Sequence, residues 1–325
     1  MKRRHALGTL AALALPALDS ARAAATTEFP QRLIRFISPS PPGGVTDFLP
    51  RLLGKEMAEM LGQPVIIENR VGANQTISAN SVAKSPPDGY TILLGTSGAL
   101  AVNPHLMASI PYRALTDFAP ISMLGGVASV IMATQSSNVK TFAQFLDAGR
   151  VKGGKSAFGH TGVGTSPHLV LEALKQRAGL EFMDIPYKGT PQLFADAKGG
   201  QFDFLCNNIG PSLPLIRNGD LRPLAVTGAK RSAHLPDVPA IAEVFPGFEV
   251  LGWMGAYAPA GTPADIVNKL AATLHAALAK ESVRKSLDTF AIDPMPTSPK
   301  EAQEFLEREY RRWGEVVRQA GIRIE

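Results

Sequence analysis

The densest group of reactive side chains in the chain is Gly159-His160-Thr161-Gly162-Val163-Gly164-Thr165-Ser166-Pro167-His168. It follows an extended run, Ser156 to Phe158, and opens a helical pattern carrying Leu169, Leu171 and Leu174. Its backbone amides and hydroxyls therefore crown a helix N-terminus, where anions are favoured. Other chemistries fit less well. As a dinucleotide fingerprint it fails, because Gly162-x-Gly164 is followed by Pro167 and not by a third glycine. As a nucleophilic triad, Ser166, His168 and Asp203 supply the residue types, but no G-x-S-x-G elbow surrounds the serine. A metal site built on His160 and His168 lacks a third ligand. An anion or ligand loop is the leading reading, ordinary turn-and-cap geometry the plain alternative, and catalysis stands behind both.

Pro39-Ser40-Pro41-Pro42-Gly43-Gly44-Val45-Thr46-Asp47 is its counterpart earlier in the chain, again between a strand and a helix. Glycines let amides approach a bound group closely, and prolines stiffen the loop. The plain reading is a tight turn at Gly43-Gly44 with Thr46 or Asp47 as the helix cap. Two such loops on different halves of the chain imply a cleft with anion-friendly walls on both sides.

Gly149-Arg150-Val151-Lys152-Gly153-Gly154-Lys155-Ser156 satisfies the phosphate-loop pattern, which needs a strand before it and a helix after it. Here a helical pattern (Thr141, Phe142, Phe145, Leu146) precedes it and the extended run follows, so a nucleotide site is rejected. Cys206, the single cysteine, reads as a buried small side chain and excludes internal disulfides and C-x-x-C motifs. Trp253 and Trp313 read as core. Asn74-Gln75-Thr76 is an accidental glycosylation sequon, and the scattered tyrosines (Tyr90, Tyr112, Tyr187, Tyr257, Tyr310) form no local iron-binding pair.

The elements that must hold these loops alternate. β-type runs stand at Leu33 to Ile37, Val65 to Ile67, Thr91 to Leu94, Ile121 to Leu124, Val130 to Ala133, Phe182 to Ile185, Phe202 to Leu205 and Leu224 to Val226, with helical patterns between them. This predicts an α/β fold with mostly parallel sheets. Leu49, Leu52, Leu53, Met57, Met60 and Leu61 recur at helical spacing before Gly62. Near the end, Thr262-Pro263 caps one helix and Ser298-Pro299-Lys300-Glu301 forms a capping box for another.

A chain of 325 residues exceeds the size at which single cores stop growing, roughly 250 to 300 residues, so two lobes are expected. No Ser/Gly-rich linker separates them, which places short crossovers near Gly125-Gly126 and Val250-Leu251 and makes a hinge there plausible. Met1 to Ala25 reads as a secretory signal: Lys2-Arg3-Arg4, then apolar Ala6 to Leu18, then small-x-small sites at Ala21-Arg22-Ala23 or Ala23-Ala24-Ala25. Of the formal charge of +5, Lys2, Arg3, Arg4, Arg22 and Asp19 fall in that segment. The remainder holds no long basic run, so nucleic-acid binding is set aside. An exported protein without disulfides points to a bacterial periplasm.

The ordered segments Pro41-Pro42-Gly43-Gly44-x-x-Asp47-x-x-x-Arg51, Leu61-Gly62-Gln63-Pro64-Val65, Glu68-Asn69-Arg70-x-Gly72-Ala73 and Pro86-Pro87-Asp88-Gly89-Tyr90-Thr91 are distinctive as a set. So are Gly162-x-Gly164-x-Ser166-x-His168-Leu169, Pro186-Tyr187-Lys188-Gly189, Leu235-Pro236-Asp237-Val238-Pro239 and Ala258-Pro259-Ala260-Gly261-Thr262-Pro263. From Phe29 onward the chain resembles the Bug family, the extracytoplasmic solute receptors of tripartite tricarboxylate transporters. The resemblance implies a two-lobed type II periplasmic-binding-protein fold, a Venus flytrap, with each lobe a mostly parallel sheet flanked by helices. Lobe I is expected to comprise residues 26–127 and 251–325, and lobe II residues 128–250.

The implied function is capture of a small di-, tri- or aromatic carboxylate between the lobes and its delivery, by a monomeric periplasmic receptor, to the membrane transporter. No catalysis, cofactor or metal is implied. Two alternatives remain: presentation of the solute to a sensor kinase, and a hydrolase using Ser166 with His168. Carried over by the resemblance, the first loop supplies Gly43, Gly44, Thr46 and Asp47, and the second Thr161, Thr165, Ser166 and His168. Thr96, Ser97 and Asn208 sit at strand ends facing the expected crevice. The chain departs from the family pattern at Pro50, Val71 and Asn74-Gln75. The amides of Asn74 and Gln75 are candidates for the distal part of a ligand.

Overall fold

The computed structural model describes residues 29–151, 153 and 156–321. The signal segment and Lys152, Gly154 and Lys155 of the phosphate-loop look-alike lie outside the described residues. In chain order the elements are β1 (Ile34–Ser38), α1 (Val45–Leu61), β2 (Val65–Asn69), α2 (Thr76–Ala83), β3 (Thr91–Thr96), α3 (Asn103–Leu106), β4 (Phe118–Ala133), α4 (Phe142–Gly149), β5 (Ala157–His160) and α5 (Ser166–Ala178). There follow β6 (Met183–Pro186), α6 (Thr190–Lys198), β7 (Phe204–Asn208), α7 (Ile209–Arg217), β8 (Arg222–Val226), β9 (Leu251–Pro259), α8 (Ala264–Ala279), α9 (Glu281–Thr289), β10 (Ile292–Pro294) and α10 (Pro299–Ala320). The helix-before, strand-after order around Gly149 to Ser156 is the reverse of a phosphate loop.

Strands run in the order β2-β1-β3-β9-β4-β7-β5-β6, with β8 and β10 also paired to β4. Pairing is parallel where a helix links neighbours, at β1–β2, β1–β3, β5–β6 and β5–β7. It is antiparallel at β3–β9, β4–β9, β4–β7, β4–β8 and β4–β10. The expectation of mostly parallel sheets is thus corrected: the flanks are parallel and the centre is antiparallel. β4 is a partner in four of these antiparallel pairings, and β9, a partner in two, was missed by sequence patterning because Gly252, Gly255, Ala256 and Ala258 dilute its β signal.

Gly125-Gly126, near which a short crossover was expected, lie within one continuous strand, β4. Glycine is needed there because β10 lies across it, and a Cβ on Gly125 would stand 2.7 Å from the Ile292 side chain. Along β4, β9 is the partner up to Ala128–Leu251; from Ser129 and Val130 onward, β7 and β8 take over. The sheet therefore changes partners within one residue step.

Helical spacing maps onto burial as expected. Leu49, Leu53 and Met57 of α1 are fully buried against Ile34, Phe36, Leu270 and Leu274, and each such side chain contributes about 1.5–3 kcal/mol of apolar transfer. Gly62 ends α1 in the left-handed conformation, and the Ser298–Glu301 capping box starts α10. The caps expected at Thr46 or Asp47 and at Thr262 are corrected. α1 is capped at Gly44 and α8 at Pro263, while the Thr262 hydroxyl donates to the Pro259 carbonyl. Pro50 removes the N–H that would bond the Thr46 carbonyl. The Ser38 hydroxyl of β1 donates to that oxygen instead, at 2.8 Å, which explains why α1 tolerates an interior proline.

Candidate functional site

A cavity of about 540 Å³ opens beside the partner switch of β4. Five helices begin on its wall: the residues capping α1, α2, α5, α6 and α7 (Gly44, Gln75, Thr165, Gly189 and Asn208) all line it. None of the five is capped by a side-chain hydrogen bond. α4 and α10, which are capped by Thr141 and Ser298, begin elsewhere, as do α3, α8 and α9, which also lack side-chain caps. A helix N-terminus without a side-chain cap offers free N–H groups and the equivalent of about +0.5 elementary charge, although at α2 the Thr76 N–H already donates to the Ala73 carbonyl. Among the described residues Lys188 is the single charged side chain on the wall, which is otherwise hydroxyls, amides and apolar groups such as Val71, Val127 and Pro211.

Of the residues singled out from sequence, Gly44, Thr46, Asn74, Thr96, Ser97, Thr161, Thr165, Ser166 and Asn208 line the cavity. Gly43, Asp47 and His168 do not; they stand behind it. Asp47 is buried and accepts from Arg51 at 3.0 Å, Asn69 at 2.8 Å and the Gly43 N–H at 3.4 Å. Burial pushes its carboxyl up, but those bonds and the Arg51 charge outweigh it and hold the group below the usual carboxylate range. Its part is to tie the first loop to β2.

Residues 73–75 are a strained turn: Ala73, Asn74 and Gln75 have φ of 41°, 52° and 71° in succession. A left-handed residue other than glycine costs about 1–2 kcal/mol. The turn is held by Asn74 Nδ2 donating to Asn103 Oδ1 at 2.8 Å, by Asn103 returning a bond to the Asn74 carbonyl, and by Thr96 Oγ1 donating to Gln75 Oε1. Asn74 therefore reaches the wall with its amide already engaged. Opposite it, a Cβ on Gly164 would lie 3.0 Å from Asn74 Nδ2 and 3.1 Å from Asn103 Oδ1, so the two halves touch there.

Gln75, a candidate from sequence for the distal part of a ligand, also lines the cavity, whereas sequence reasoning did not name Tyr187, Gly189, Thr190, Asn207, Gly252 or Trp253 as wall residues. The Pro186-Tyr187-Lys188-Gly189 motif at a strand-to-helix junction was the available signal for two of them, Tyr187 and Gly189. The Tyr187 hydroxyl donates to Asp196 at 2.9 Å, and burial together with that carboxylate pushes it up to about 12. Trp253 is buried yet contributes wall; its indole N–H and that of Trp313 both donate to Glu309 Oε2, at 3.0 Å each.

Behind the second loop, Asp184 joins His160 and His168, supplying the third ligand-type group that spacing alone did not reveal. His168 Nδ1 accepts the Gly164 N–H at 3.2 Å, and its Nε2 lies 3.6 Å from Asp184 and 3.9 Å from Glu172. Burial, then the neighbouring His160, holds the His168 imidazole down at about 4 despite Asp184. Neither ring nitrogen is hydrogen-bonded to Ser166, and Asp203 accepts from the Ala157 amide at 2.9 Å, so the three residues are not assembled as a triad.

The family model described as tripartite tricarboxylate transporter family receptor matches residues 49–322. The chain belongs to that family. It is 36% identical over 299 residues to protein BugT of Bordetella pertussis, covering 91% of this chain and 92% of that one. R. palustris Rpa4515, solved with adipate, superimposes with a TM-score of 0.86 at 35% identity, covering 91% of this chain and 99% of that one. MatC from Rhodopseudomonas palustris, solved with bound malate, gives a TM-score of 0.82 at 31% identity over 89% of this chain and 100% of the other. Like its relatives, this TctC-family chain has the two-lobed fold of periplasmic binding proteins.

Proposed function

We propose that this chain is a periplasmic receptor that captures a small carboxylate in the cavity, closes over it without altering it, and delivers it to a tripartite tricarboxylate transporter. The observation that carries this reading is the convergence of five helix N-termini without side-chain caps on one largely uncharged wall. A hydrogen bond to a charged group contributes about 1.5–3 kcal/mol, so three or four amide or hydroxyl contacts offset a carboxylate's partial desolvation. Gly44, Thr46, Thr96, Ser97, Thr161, Thr165, Ser166 and Asn208 are the contact residues of this reading, with Gly43, Asp47 and His168 supporting from behind. Closure pivots where β4 changes partners, with lobe I as residues 26–127 and 251–325 and lobe II as residues 128–250.

The test is a thermal-shift and scattering panel of adipate, malate, citrate, benzoate and acidic amino acids. A cognate solute at 100 times its Kd adds about 2.7 kcal/mol of stability and leaves the scattering radius smaller. A panel without any shift refutes the reading, and turnover of a bound solute refutes its passive character. Recovery of the mature chain from a periplasmic fraction tests the location, and co-purification with transporter membrane subunits tests the partner.

A further inference from the structure

β5, α5 and β6 bring His160, His168 and Asp184 together so that their ligand-type atoms all lie within 4.8 Å of one another. Such a trio suggests a metal, and the protons argue against one. A metal-bound imidazole presents a bare nitrogen to the ion and keeps its proton on the other nitrogen, where an acceptor receives it. Here the nitrogens turned away from Asp184 are themselves acceptors. His160 Nδ1 receives the Gly162 N–H at 3.1 Å, and His168 Nδ1 the Gly164 N–H at 3.2 Å. A neutral imidazole that accepts on Nδ1 carries its proton on Nε2. Both Nε2–H groups then meet the Asp184 carboxylate, His160 by a hydrogen bond to Oδ1 and His168 at 3.6 Å from Oδ2. A cation in their place would set N–H against N–H twice.

We propose that His160 and His168 are positioning residues of the second cleft loop, each holding one glycine amide through Nδ1, and that Asp184 fixes their tautomers. Gly162 and Gly164 have φ of 113° and 78°, a region glycine enters without being confined to it. The two imidazoles remove that freedom. They thereby hold Thr161, Thr165 and Ser166 on the wall while standing outside it. Asp184 faces both rings and favours added positive charge on them, but the glycine N–H groups directed at both Nδ1 atoms leave no place there for a second proton. Glu172 Oε1, 3.9 Å from His168 Nε2, is neutralised by Lys175 at 2.7 Å, and His160 and His168 face each other at 4.8 Å between ring centroids. Only the effect on affinity rests on the receptor reading; the tautomers and amide bonds do not require a ligand.

The experiment is long-range ¹H–¹⁵N NMR of the imidazoles in the exported chain at pH 7.5, with exchange rates of the Gly162 and Gly164 amides. Both rings are expected as Nε2–H tautomers with both amides protected. D184N, whose amide offers an N–H toward Nε2, is expected to move one ring to the Nδ1–H tautomer and to speed exchange at the matching glycine. Against adipate and malate, H168L is expected to weaken binding about tenfold, and H168N, whose side-chain oxygen can accept the Gly164 N–H, to recover most of that loss. An Nδ1–H tautomer or an imidazolium in the wild type, unprotected glycine amides, or stoichiometric Zn²⁺ binding that D184N abolishes would overturn the proposal. So would wild-type affinity in H168L. If neither solute binds the wild type, the receptor reading loses those two ligands, while the tautomers and exchange rates still decide this role.

Discussion

Gly44→Asp sets stability and affinity against each other. Gly44 caps α1 with φ −102° and ψ 175°, angles open to any residue, and a Cβ there meets nothing nearer than the Thr46 hydroxyl at 3.9 Å. A capping aspartate accepts from first-turn N–H groups and exceeds glycine by a few tenths of a kcal/mol, with about 0.3–1 kcal/mol more from the helix dipole. The fold should hold or gain slightly, with a melting temperature unchanged or higher by no more than about 3 °C. A bound carboxylate meets the reverse. It loses a donor worth about 1.5–3 kcal/mol, and a fixed negative charge about 6 Å away costs on the order of 3 kcal/mol at an effective dielectric of about 20. Together that is about 5 kcal/mol, or more than three decades in Kd. Calorimetric titration of the tightest carboxylate in the panel, beside scanning calorimetry, reads both quantities. Gly44→Ser supplies the cap without the charge and should weaken binding about tenfold. A folded Gly44→Asp protein that binds within threefold of wild type would refute the idea that the α1 N-terminus is a wall of the anion site.

Gly164→Ala combines a left-handed cost of about 1–2 kcal/mol with contacts at 3.0–3.1 Å to Asn74, Asn103 and Leu106. It is expected to hold the halves apart, with a larger liganded scattering radius and weaker binding; an unchanged radius and affinity would count against the touching surfaces. Stability should also follow the titration of His168, whose imidazole burial and His160 hold down at about 4. The unfolded chain binds this proton below about 6.5 and the folded one does not. The contribution is therefore complete above about 6.5 and is lost toward about 4, on the order of 3 kcal/mol in all. Urea unfolding of wild type and H168N between pH 7 and 4.5 isolates the difference, and parallel profiles would refute it. Asp47 and Asp184, both held below the usual carboxylate range against the push of burial, add their losses only in stronger acid.

The glycine loops, the helix before Gly62 and the Ser298 capping box were legible because each is local. A turn residue, a cap and an apolar stripe all lie within one or two turns of chain. The centre of the sheet was not, because β9 is rich in glycine and alanine and acquires its strand character from β3 and β4 on either side. Gly125-Gly126 read as a crossover between lobes, but the close approach of β10 that requires glycine there could not be read locally, because it lies in residues 292–294. The wall loops could be named, but their shared focus could not, since the starts of α1, α2, α5, α6 and α7 are scattered across more than 160 positions. Asp184 escaped for the same reason: β6 meets β5 only through sheet pairing, and nothing near His160 in sequence announces it.

The chain's two tryptophans share one carboxylate oxygen, and only Trp253 of the pair lies on the cavity wall. Any solute that seats against β9 changes the polarity around one indole, and through Glu309 it perturbs the electronic surroundings of the other. The molecule thus carries a built-in fluorophore couple, and its ultraviolet emission should register occupancy without dye, label or immobilisation.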